Sequence, residues 1–311
     1  MPPVGTTAPA IAFLFPMCLK IAVAIATAGR PKISADTVGH LRRQLRQPDE
    51  LLICPARSGD FDAACLQDFP APARIVSGPV GSSAQRNALL DATDADIVVF
   101  FDDDFLPADD YLAEAERLFL FHPGIVVATG KVLADGILGP GIEFDEGARL
   151  LAQSPPGTEP GRIAPTYNGY GCNMAVRMAP AHAHRIRFDE RLPLYAWLED
   201  VDFSRQLALH GDVVCATRLR GVHLGTKRAG RTSGRRLGYS QVANPLYLAR
   251  KGTMAWGKAL AHVGRNLLAN ALRSPVPEPW VDRRGRLAGN AMALLDTLKG
   301  SAVPERVLHL P

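Results

Sequence analysis

Strand-like and helix-like runs alternate through the first half of the chain, and this pattern constrains the fold more than any other feature. The strand-like runs occupy 21–26, 51–54, 74–77, 97–101 and 125–129. Helix-like runs lie between them: one has Val38, Leu41 and Leu45 on a face, and the others cover 84–92 and 107–121. Alternation of this kind indicates parallel strands joined by helical crossovers. We therefore predict an α/β fold with a mostly parallel central sheet flanked by helices.

The composition is that of an ordinary globular protein and excludes several other classes. Hydrophobic residues make up 47% and charged residues 21% of the 311 positions, which excludes disorder, collagen and coiled coil. A net charge of +4 is too small to indicate nucleic acid as a partner. The longest apolar runs, at 11–15 and 97–101, are far shorter than the roughly 20 residues of a membrane-spanning helix.

The cysteines and the N-terminal segment bear on the compartment. The five cysteines are an odd number without a CxxC pair, so we expect reduced thiols and a cytoplasmic protein. Residues 1–19 carry an apolar patch with no Lys or Arg before it, unlike a signal peptide. We expect these residues to form a disordered leader.

The second half of the chain changes in composition twice. Residues 135–171 are rich in Gly and Pro, which is typical of a mobile loop or lid. Residues 213–277 contain no Asp or Glu but many Lys and Arg, so this stretch would attract anions. Two amphipathic helices close the chain, one with Leu260, Val263 and Leu267 on a face and the other with Leu287, Ala291, Leu294 and Leu298. The sequence leaves two interpretations of these helices open: they pack on the sheet, or they contact an anionic membrane.

Three adjacent carboxylates, Asp102, Asp103 and Asp104, follow the buried strand 97–101. Ligands of open parallel sheets bind beyond the carboxyl ends of the strands. Gathered carboxylates repel one another unless a cation neutralises them, and carboxylate oxygens suit Mg²⁺ and Mn²⁺. The triplet therefore indicates a site for a divalent cation, with a solvated turn in which Asp104 caps the next helix as the alternative.

Two other groups of polar residues belong near the same edge of the sheet. Arg86 and Asn87 lie in the first turn of the helix 84–92, which Ser82 or Ser83 would cap, and a helix N-terminus with a cation suits a diphosphate. Thr27 and Arg30 follow the first strand. Ordinary surface positions are the alternative for each, but together these residues would surround one crevice.

Acidic residues also begin a helix in the second half of the chain. Glu199, Asp200 and Asp202 occupy the start of a helix that we expect to end at Gly211. The positive end of the helix dipole favours ionised carboxylates, and such a group facing a cleft can accept a proton from a hydroxyl. The alternative is the general preference for acidic residues in the first turn of a helix, which accounts for one or two of these residues.

In this order the motifs resemble glycosyltransferase family 2, the inverting enzymes with the GT-A fold, a Rossmann-like sheet. The likeness runs from about residue 20 to 236 and includes Thr27-x-x-Arg30, Arg86-Asn87, Asp102–Asp104, Gly171-x-Asn173-Met174-Ala175 and Glu199-Asp200-x-Asp202. The resemblance implies a transferase domain at 20–240, with a nucleotide-binding half at 20–130 and an acceptor half at 131–240. A helical extension at 241–311 is similar to bacterial members thought to build surface polysaccharides.

The resemblance also implies roles for individual residues. It makes Asp200 the general base, Glu199 a residue that orients the acceptor, and Asp104 a ligand of Mg²⁺ or Mn²⁺. Asp102 would meet the ribose or the metal with help from Asp103, and His223 corresponds to a further metal ligand of some relatives. The implied substrate contacts include Thr27, Arg30, Arg86, Asn87 and Asn173, and Lys227 and Arg228 are additional candidates for binding the diphosphate.

The implied substrates are a nucleoside-diphosphate sugar and a glycan or lipid-linked glycan acceptor, at the inner face of the membrane or in the cytoplasm. One feature departs from the family, because residues 53–58 read Ile-Cys-Pro-Ala-Arg-Ser where relatives place an aspartate that contacts the base. Guanine and thymine nucleotides therefore stay open beside uracil. The competing hypotheses are a nucleotide-sugar-binding protein without turnover and a Mg²⁺-dependent phosphatase of the haloacid-dehalogenase type.

Overall fold

A single nine-stranded sheet organises the computed structural model, which describes residues 18–154, 161–226 and 233–311. Its strands are β1 (Ile21–Thr27), β2 (Glu50–Pro55), β3 (Ala73–Ile75), β4 (Ile97–Asp102), β5 (Phe105–Pro107), β6 (Ile125–Asp135), β7 (Ile163–Pro165), β8 (Asn173–Arg177) and β9 (Asp212–His223). The order is β3-β2-β1-β4-β8-β6-β9-β5, with β7 also paired to β9. Only β5, β7 and β8 run against the common direction. The predicted α/β fold with a mostly parallel sheet is confirmed.

Helices cover both faces of the sheet because successive strand residues point to opposite sides. Val23 and Ile25 of β1 face a core that includes residues of the helices α1 (Pro31–Leu41) and α3 (Tyr111–Phe121). Ala22 and Ala24 face the opposite core, which includes residues of α2 (Ser82–Asp91), α5 (Met178–Ala183) and α6 (Glu199–Leu207). A shorter helix, α4 (Phe144–Ala152), packs against β9 and β6.

The direction of the strands brings polar residues to one edge. Strands β1 and β4 are parallel and aligned, with Ala26 opposite Asp102, so Thr27 and the aspartates emerge together. Strand β6 runs parallel to β9, and their last paired residues are Asp135 and His223. Residues that are far apart in sequence therefore meet beyond the same ends of the strands.

Three helices form the extension: α7 (Gly234–Lys251), α8 (Trp256–Arg273) and α9 (Arg283–Leu298). Two glycines allow α7 and α9 to cross in close contact, since a Cβ on Gly238 would lie 2.1 Å from the Arg286 carbonyl oxygen and one on Gly289 would lie 2.0 Å from that of Arg235. Helix α7 spans the expected boundary at 240. Among the described residues, no helix is both long and apolar enough to cross a bilayer.

Several expected element boundaries are wrong. Helix α1 ends at Leu41, and Leu45 lies beyond it with its side chain 78% exposed. Gly81 is the N-cap of α2, so Ser82 and Ser83 lie inside the helix and do not cap it. The run 107–121 divides into the end of β5 and helix α3, and Asp110 rather than Asp104 precedes the helix.

The segment 135–171 and the last helices also differ from expectation. The described part of this segment contains α4 and β7 and is therefore not one continuous loop. Helix α6 ends at Leu207, before Gly211. In α8 Val263 is buried but Leu260 is exposed, and in α9 the buried residues include Asn290 and Ala293 instead of Leu294 and Leu298.

Candidate active site

Asp103, the middle residue of the triplet, points into the protein and anchors the turn between β4 and β5. Its Oδ2 accepts a hydrogen bond of 2.6 Å from the Thr27 hydroxyl, and its Oδ1 is paired with the Arg30 guanidinium. The Thr37 hydroxyl donates to its carbonyl oxygen at 2.8 Å. Burial raises the pKa of Asp103 to about 7, although Arg30 opposes the rise. Asp103 thus fixes the position of its two neighbours.

The neighbours of Asp103 turn toward His223, so the three expected metal ligands lie close together. The His223 Nε2 lies 3.5 Å from Asp104 Oδ1 and 3.8 Å from Asp102 Oδ2. The three ligand atoms lie within 4.8 Å of one another. Carboxylate oxygens with one imidazole nitrogen suit Mg²⁺ or Mn²⁺, so the residues present fit a divalent cation.

Each of these three side chains is held from behind by another group. The second oxygen of Asp102 accepts from Arg86 at 3.0 Å, and that of Asp104 accepts from Arg30 at 3.0 Å and from the Thr226 amide at 2.8 Å. His223 Nδ1 lies 2.8 Å from Asp135 Oδ1. Outer partners of this kind fix the orientation of metal ligands. The cluster is therefore already oriented for a cation.

The electrostatics of the cluster follow from its excess of carboxylates. Burial alone would lower the pKa of His223, but hydrogen bonds to Asp104 and Asp135 outweigh it and raise the pKa to about 10. Burial alone would raise the pKa of Asp104, but His223 and Arg30 leave it below its ordinary value. Without a metal, His223 therefore carries the positive charge that the carboxylates require.

Arg86 connects this cluster to the start of α6. Its Nη2 donates to Asp102 Oδ1 and to the Gly171 carbonyl oxygen, each at 3.0 Å, and its Nη1 donates to Glu199 Oε1 at 2.5 Å. The guanidinium lies 5.8 Å and 5.5 Å from the ring centroids of Phe100 and Phe188. One buried cation thus joins two acidic motifs that are almost 100 residues apart in the sequence.

Asp200 lies beside this arginine and is held by backbone amides. Gly171 N donates to its Oδ2 at 3.0 Å, and Val201 N donates to its Oδ1 at 2.8 Å. Burial raises the pKa of Asp200 above its ordinary value, although these amides oppose the rise. Burial also raises the pKa of the adjacent Glu199, to about 8, because Arg86 opposes the rise only in part. Carboxyls with raised pKa values are stronger bases, and Asp200 is the less buried of the two.

The backbone that leads into α6 is strained. Leu194, Ala196 and Leu198 have φ values of 59°, 51° and 76°, in the left-handed region that favours glycine. Such residues cost about 1–3 kcal/mol each and persist where the surrounding structure enforces them, often at functional sites. Here the Leu194 carbonyl oxygen accepts from Ser82 N at 2.8 Å. The segment before Glu199 is therefore fixed against the start of α2.

Two expected substrate contacts lie away from the open face of the cluster. Asn87 bonds through its amide to the backbone of Phe188 and to Glu190. Asn173 is fully buried in β8, and its Oδ1 accepts from the Thr129 hydroxyl at 2.6 Å. Both make bonds within the protein. Lys227 and Arg228 lie outside the described residues.

Sequence reasoning missed Asp135 and Tyr170, and it placed Gly171 in a motif without giving it a role. The Tyr170 hydroxyl donates to Asp135 Oδ2 at 3.0 Å, and Asp135 holds His223. Asp135 ends β6, so an acid at a strand end was a usable signal, but the expected strand stopped six residues earlier. A Cβ on Gly171 would lie 3.2 Å from Arg86 Nη1, so a larger residue there would displace the arginine. Only the three-dimensional structure reveals this contact.

A cavity of about 420 Å³ extends from the cluster toward the helical extension. Asp102, Asp104, His223 and Arg30 line one end. The other end is aromatic and polar: Tyr195, Trp197, Gln241, Asn266, Trp280, Asp282 and Arg286. A second cavity, of about 490 Å³ between α3 and β9, contains none of the expected site residues.

A family model matches the first part of the chain. Residues 22–136 match the family model described as glycosyl transferase family 2. This range contains the Thr27, Arg86 and Asp102–Asp104 motifs, so the resemblance seen in the sequence is confirmed over it. A search of curated proteins gave no match.

Solved transferase structures show the same fold. A mannosyltransferase from Pyrobaculum calidifontis, in complex with GDP-Man and Mn²⁺, is similar with a TM-score of 0.54 at 14% identity, over 91% of this chain and 87% of that one. TarS 1–349 from S. aureus has a TM-score of 0.50 at 15% identity, over 91% and 92%. Its complex with UDP-GlcNAc also has a TM-score of 0.50, at 17% identity over 93% and 83%. The expected GT-A fold is confirmed.

Proposed function

We propose that this protein transfers a sugar from a nucleoside diphosphate to an acceptor hydroxyl with inversion at the anomeric carbon. The observation that carries the proposal is the position of Arg86, which contacts Asp102 and Glu199 at the same time. A carboxylate pair for proton transfer thus lies beside a carboxylate cluster that suits a cation. Neither the phosphatase nor the binding-only hypothesis explains why both are joined.

Asp200 is our candidate for the general base. Its two backbone amide bonds fix the carboxylate but leave acceptor capacity on both oxygens. The raised pKa makes it a better acceptor for the proton of an attacking hydroxyl. Glu199, tied to Arg86, holds the start of α6 in position and would orient the acceptor. Attack opposite the departing diphosphate gives inversion.

Asp102, Asp104 and His223 would hold the divalent cation, either Mg²⁺ or Mn²⁺. When bound, the cation would stabilise the negative charge of the departing diphosphate. Asp135 keeps the imidazole in place through Nδ1, so that Nε2 faces the two carboxylates. Arg30 neutralises Asp103 and Asp104 from the other side.

The donor is expected to lie across the ends of β1 and β4. Thr27 and Arg30 border this region, and the substrate roles of these residues and of Asn87 and Asn173 stay predictions. The similar structures contain GDP-Man in one case and UDP-GlcNAc in another. Both nucleotide classes therefore need to be tested with this chain.

The acceptor side supports a carbohydrate ligand. Two of the three tryptophans of the chain, Trp197 and Trp280, line the far end of the cavity with Tyr195. Aromatic faces beside amide side chains offer an apolar platform with polar groups at its edge, which matches a sugar ring. We propose a glycan or lipid-linked glycan as acceptor and a role in surface polysaccharide synthesis. The five unpaired cysteines, all within the described residues, fit a reducing compartment.

A thermal-shift screen of the full chain tests this proposal. UDP, GDP, TDP and CMP sugars are each added with and without Mn²⁺, since a ligand that binds only the folded state raises the Tm. We expect one nucleotide class to stabilise the protein in a Mn²⁺-dependent manner, by about 3 kcal/mol at a hundredfold excess over Kd. Turnover with that donor is then measured by release of the nucleoside diphosphate.

The variant Asp104→Asn should lose the Mn²⁺-dependent part of the shift. Asp91→Asn provides the matched control, because Asp91 is an exposed partner of Arg187 outside the cluster. A screen without any stabilisation would contradict the donor site. Stabilisation without turnover on any acceptor would instead favour a binding protein.

A further inference from the structure

The extension carries an unusual share of the exposed apolar surface. Of 19 large apolar side chains that are exposed in the described residues, 11 lie between 256 and 311. On α8 they are Trp256, Leu260, Leu268 and Leu272, spaced by multiples of four. Each step of four residues turns the direction of the side chain by about 40°, so this row winds around the helix. Leu268 and Leu272 lie on one side, opposite the buried Val263 and Asn270, and we call this side the outer face of α8.

The neighbouring helix α9 repeats this arrangement. Leu294, Leu295 and Leu298 are exposed, the last at 84%. The side of α9 that faces the protein carries Gly289, Asn290 and Ala293 instead. The exposed leucines of both helices therefore contribute little to the packing of the extension itself, unlike Leu267, which packs against its core. Exposed patches of this kind mark sites of interaction with a partner or a membrane.

A basic side chain borders the outer face of α8. Arg265 lies three residues before Leu268 on this side of the helix, whereas Lys258 lies over the Tyr167 ring, and no acid occurs in 213–277. The nearest acid in sequence, Glu278, is already paired with Arg273 and Arg283. The surface thus combines exposed leucines with positive charge, which is the pattern of helices that lie in a membrane interface.

We propose that the outer face of α8, together with the leucines of α9, docks on an anionic lipid bilayer. Charge decides between this occupant and a second copy of the chain. Two copies packed through this surface would bring two basic surfaces together, each with its Arg265 and no acid from 213–277, whereas anionic headgroups would neutralise these cations. The helix lies flat on the surface with its leucines at the boundary of headgroups and acyl chains.

The surface continues toward the cavity. Beyond α8, Val276 is 87% exposed, and four residues later Trp280 lines the aromatic end of the cavity. An acceptor carried by the bilayer would therefore reach the cavity from the docked side. The docking itself does not depend on the transfer reaction, because vesicle binding can be measured without any substrate.

Co-sedimentation of the full chain with vesicles tests the proposal. One set contains phosphatidylcholine alone and the other contains added phosphatidylglycerol, each at low and high salt. We expect binding to the anionic vesicles at low salt and loss at high salt, since salt screens exposed charges. Arg265→Gln should weaken binding about fivefold, the contribution of one cation near an anionic surface.

The double variant Leu268→Glu/Leu272→Glu should weaken binding by about tenfold or more for each leucine lost from the interface. Leu45→Glu/Leu209→Glu is the matched control, since these leucines are 78% and 79% exposed outside the extension. Equal melting temperatures establish that all variants are folded. The proposal is overturned if Leu268→Glu/Leu272→Glu binds anionic vesicles as well as wild type does, or if wild type binds neutral and anionic vesicles equally. The proposal is also overturned if wild type does not bind vesicles but forms a dimer in solution that the double variant Leu268→Glu/Leu272→Glu does not form.

Discussion

Strands β1 and β4 bury only apolar side chains before their last residues, whereas the helices α8 and α9 bury asparagines beside Val263 and Ala293. In the strands, Ile21, Val23 and Val99 are fully inside, and the charged residues collect where the strands end. In the extension, Asn270 and Asn290 are fully buried, while leucines of both helices face outward. Asn270 donates to Asn290 Oδ1 at 2.8 Å, and Asn290 donates to the Gly238 carbonyl oxygen at 2.6 Å.

Buried polar groups have different roles in the two regions. At the edge of the sheet, buried carboxylates are gathered against their mutual repulsion, which we attribute to the proposed chemistry rather than to stability. Between the helices, amides satisfy one another and a backbone carbonyl, which holds the helices in a defined arrangement. Polar substitutions should therefore reduce activity in the first region and stability in the second.

Asp200→Asn should give the largest effect on activity. Loss of a general base typically lowers the rate by about 10²–10⁴, and the amide keeps a similar shape. We expect kcat to fall in this range while donor binding changes little. The Tm should fall slightly, because Asn has one acceptor oxygen for the two backbone amides that Asp200 binds. Steady-state kinetics and a thermal melt of the same preparation check this. Wild-type turnover in the variant would contradict our assignment of the base.

Phe119→Ala should give the largest effect on stability. Phe119 is almost fully buried in the core beneath α3, and removal of such a ring costs about 3–5 kcal/mol. Urea denaturation measures the free energy of unfolding. The control is Leu298→Ala, and a comparable cost for both variants would show that α9 also buries its leucines.

Asn290→Ala should destabilise the extension with little effect on turnover. It removes the donor to Gly238 and leaves Asn270 without one acceptor, which costs about 1–3 kcal/mol. Gln153→Ala, at an exposed position, serves as the control. If the free energy of unfolding of Asn290→Ala, measured with urea, equals that of wild type, the buried amides do not stabilise the extension and the two regions do not differ in this respect.

The affinity for Mn²⁺ should rise with pH. A metal ligand must be neutral, whereas His223 holds a proton because the acids around it outweigh burial and raise its pKa to about 10. Binding therefore displaces a proton, and we expect about tenfold tighter binding per pH unit between pH 6 and 9. Calorimetric titration with Mn²⁺ measures the slope. Asp135→Asn should flatten it, and a pH-independent Kd would contradict the role of His223.

Leu298→Ala should have the smallest effect in the absence of membranes. Its side chain is exposed, and surface substitutions usually change stability by less than about 0.5 kcal/mol. A urea melt checks the value. A loss above 1.5 kcal/mol would show that this leucine has a packing partner within the chain, and would weaken the contrast between sheet and extension.

Sequence patterns predicted the first region well because its apolar residues are continuous and buried on both faces. The strand before Asp102, the turn at Thr27 and the helix with Arg86 all lie where expected. In the extension the same reasoning located helices α8 and α9 but was wrong about the residues they bury, because amphipathicity identifies an apolar face but not what covers it. Helix α7 was not predicted, since Pro245 lies inside it and glycines occupy its contact with α9.

The candidate site was predictable in part for a similar reason. Motifs that belong to one strand end or one helix start are visible in sequence, as with Asp104 and Asp200. Contacts between distant segments are not, and these include Asp135 behind His223 and Gly171 beside Arg86. The left-handed residues before α6 are equally invisible, because nothing in Leu194, Ala196 or Leu198 suggests a positive φ.

The central position of β8 has a consequence for the chain during synthesis. One edge of β4 pairs with β1, and the other pairs with β8, which begins 71 residues after β4 ends. During synthesis this second edge therefore stays unpaired until β8 has been made. At about 5–20 residues per second, an apolar strand with an open edge persists for several seconds on the ribosome. The same edge is open in any fragment confined to 22–136. Such a fragment should aggregate, because an exposed apolar strand edge is a template for other chains.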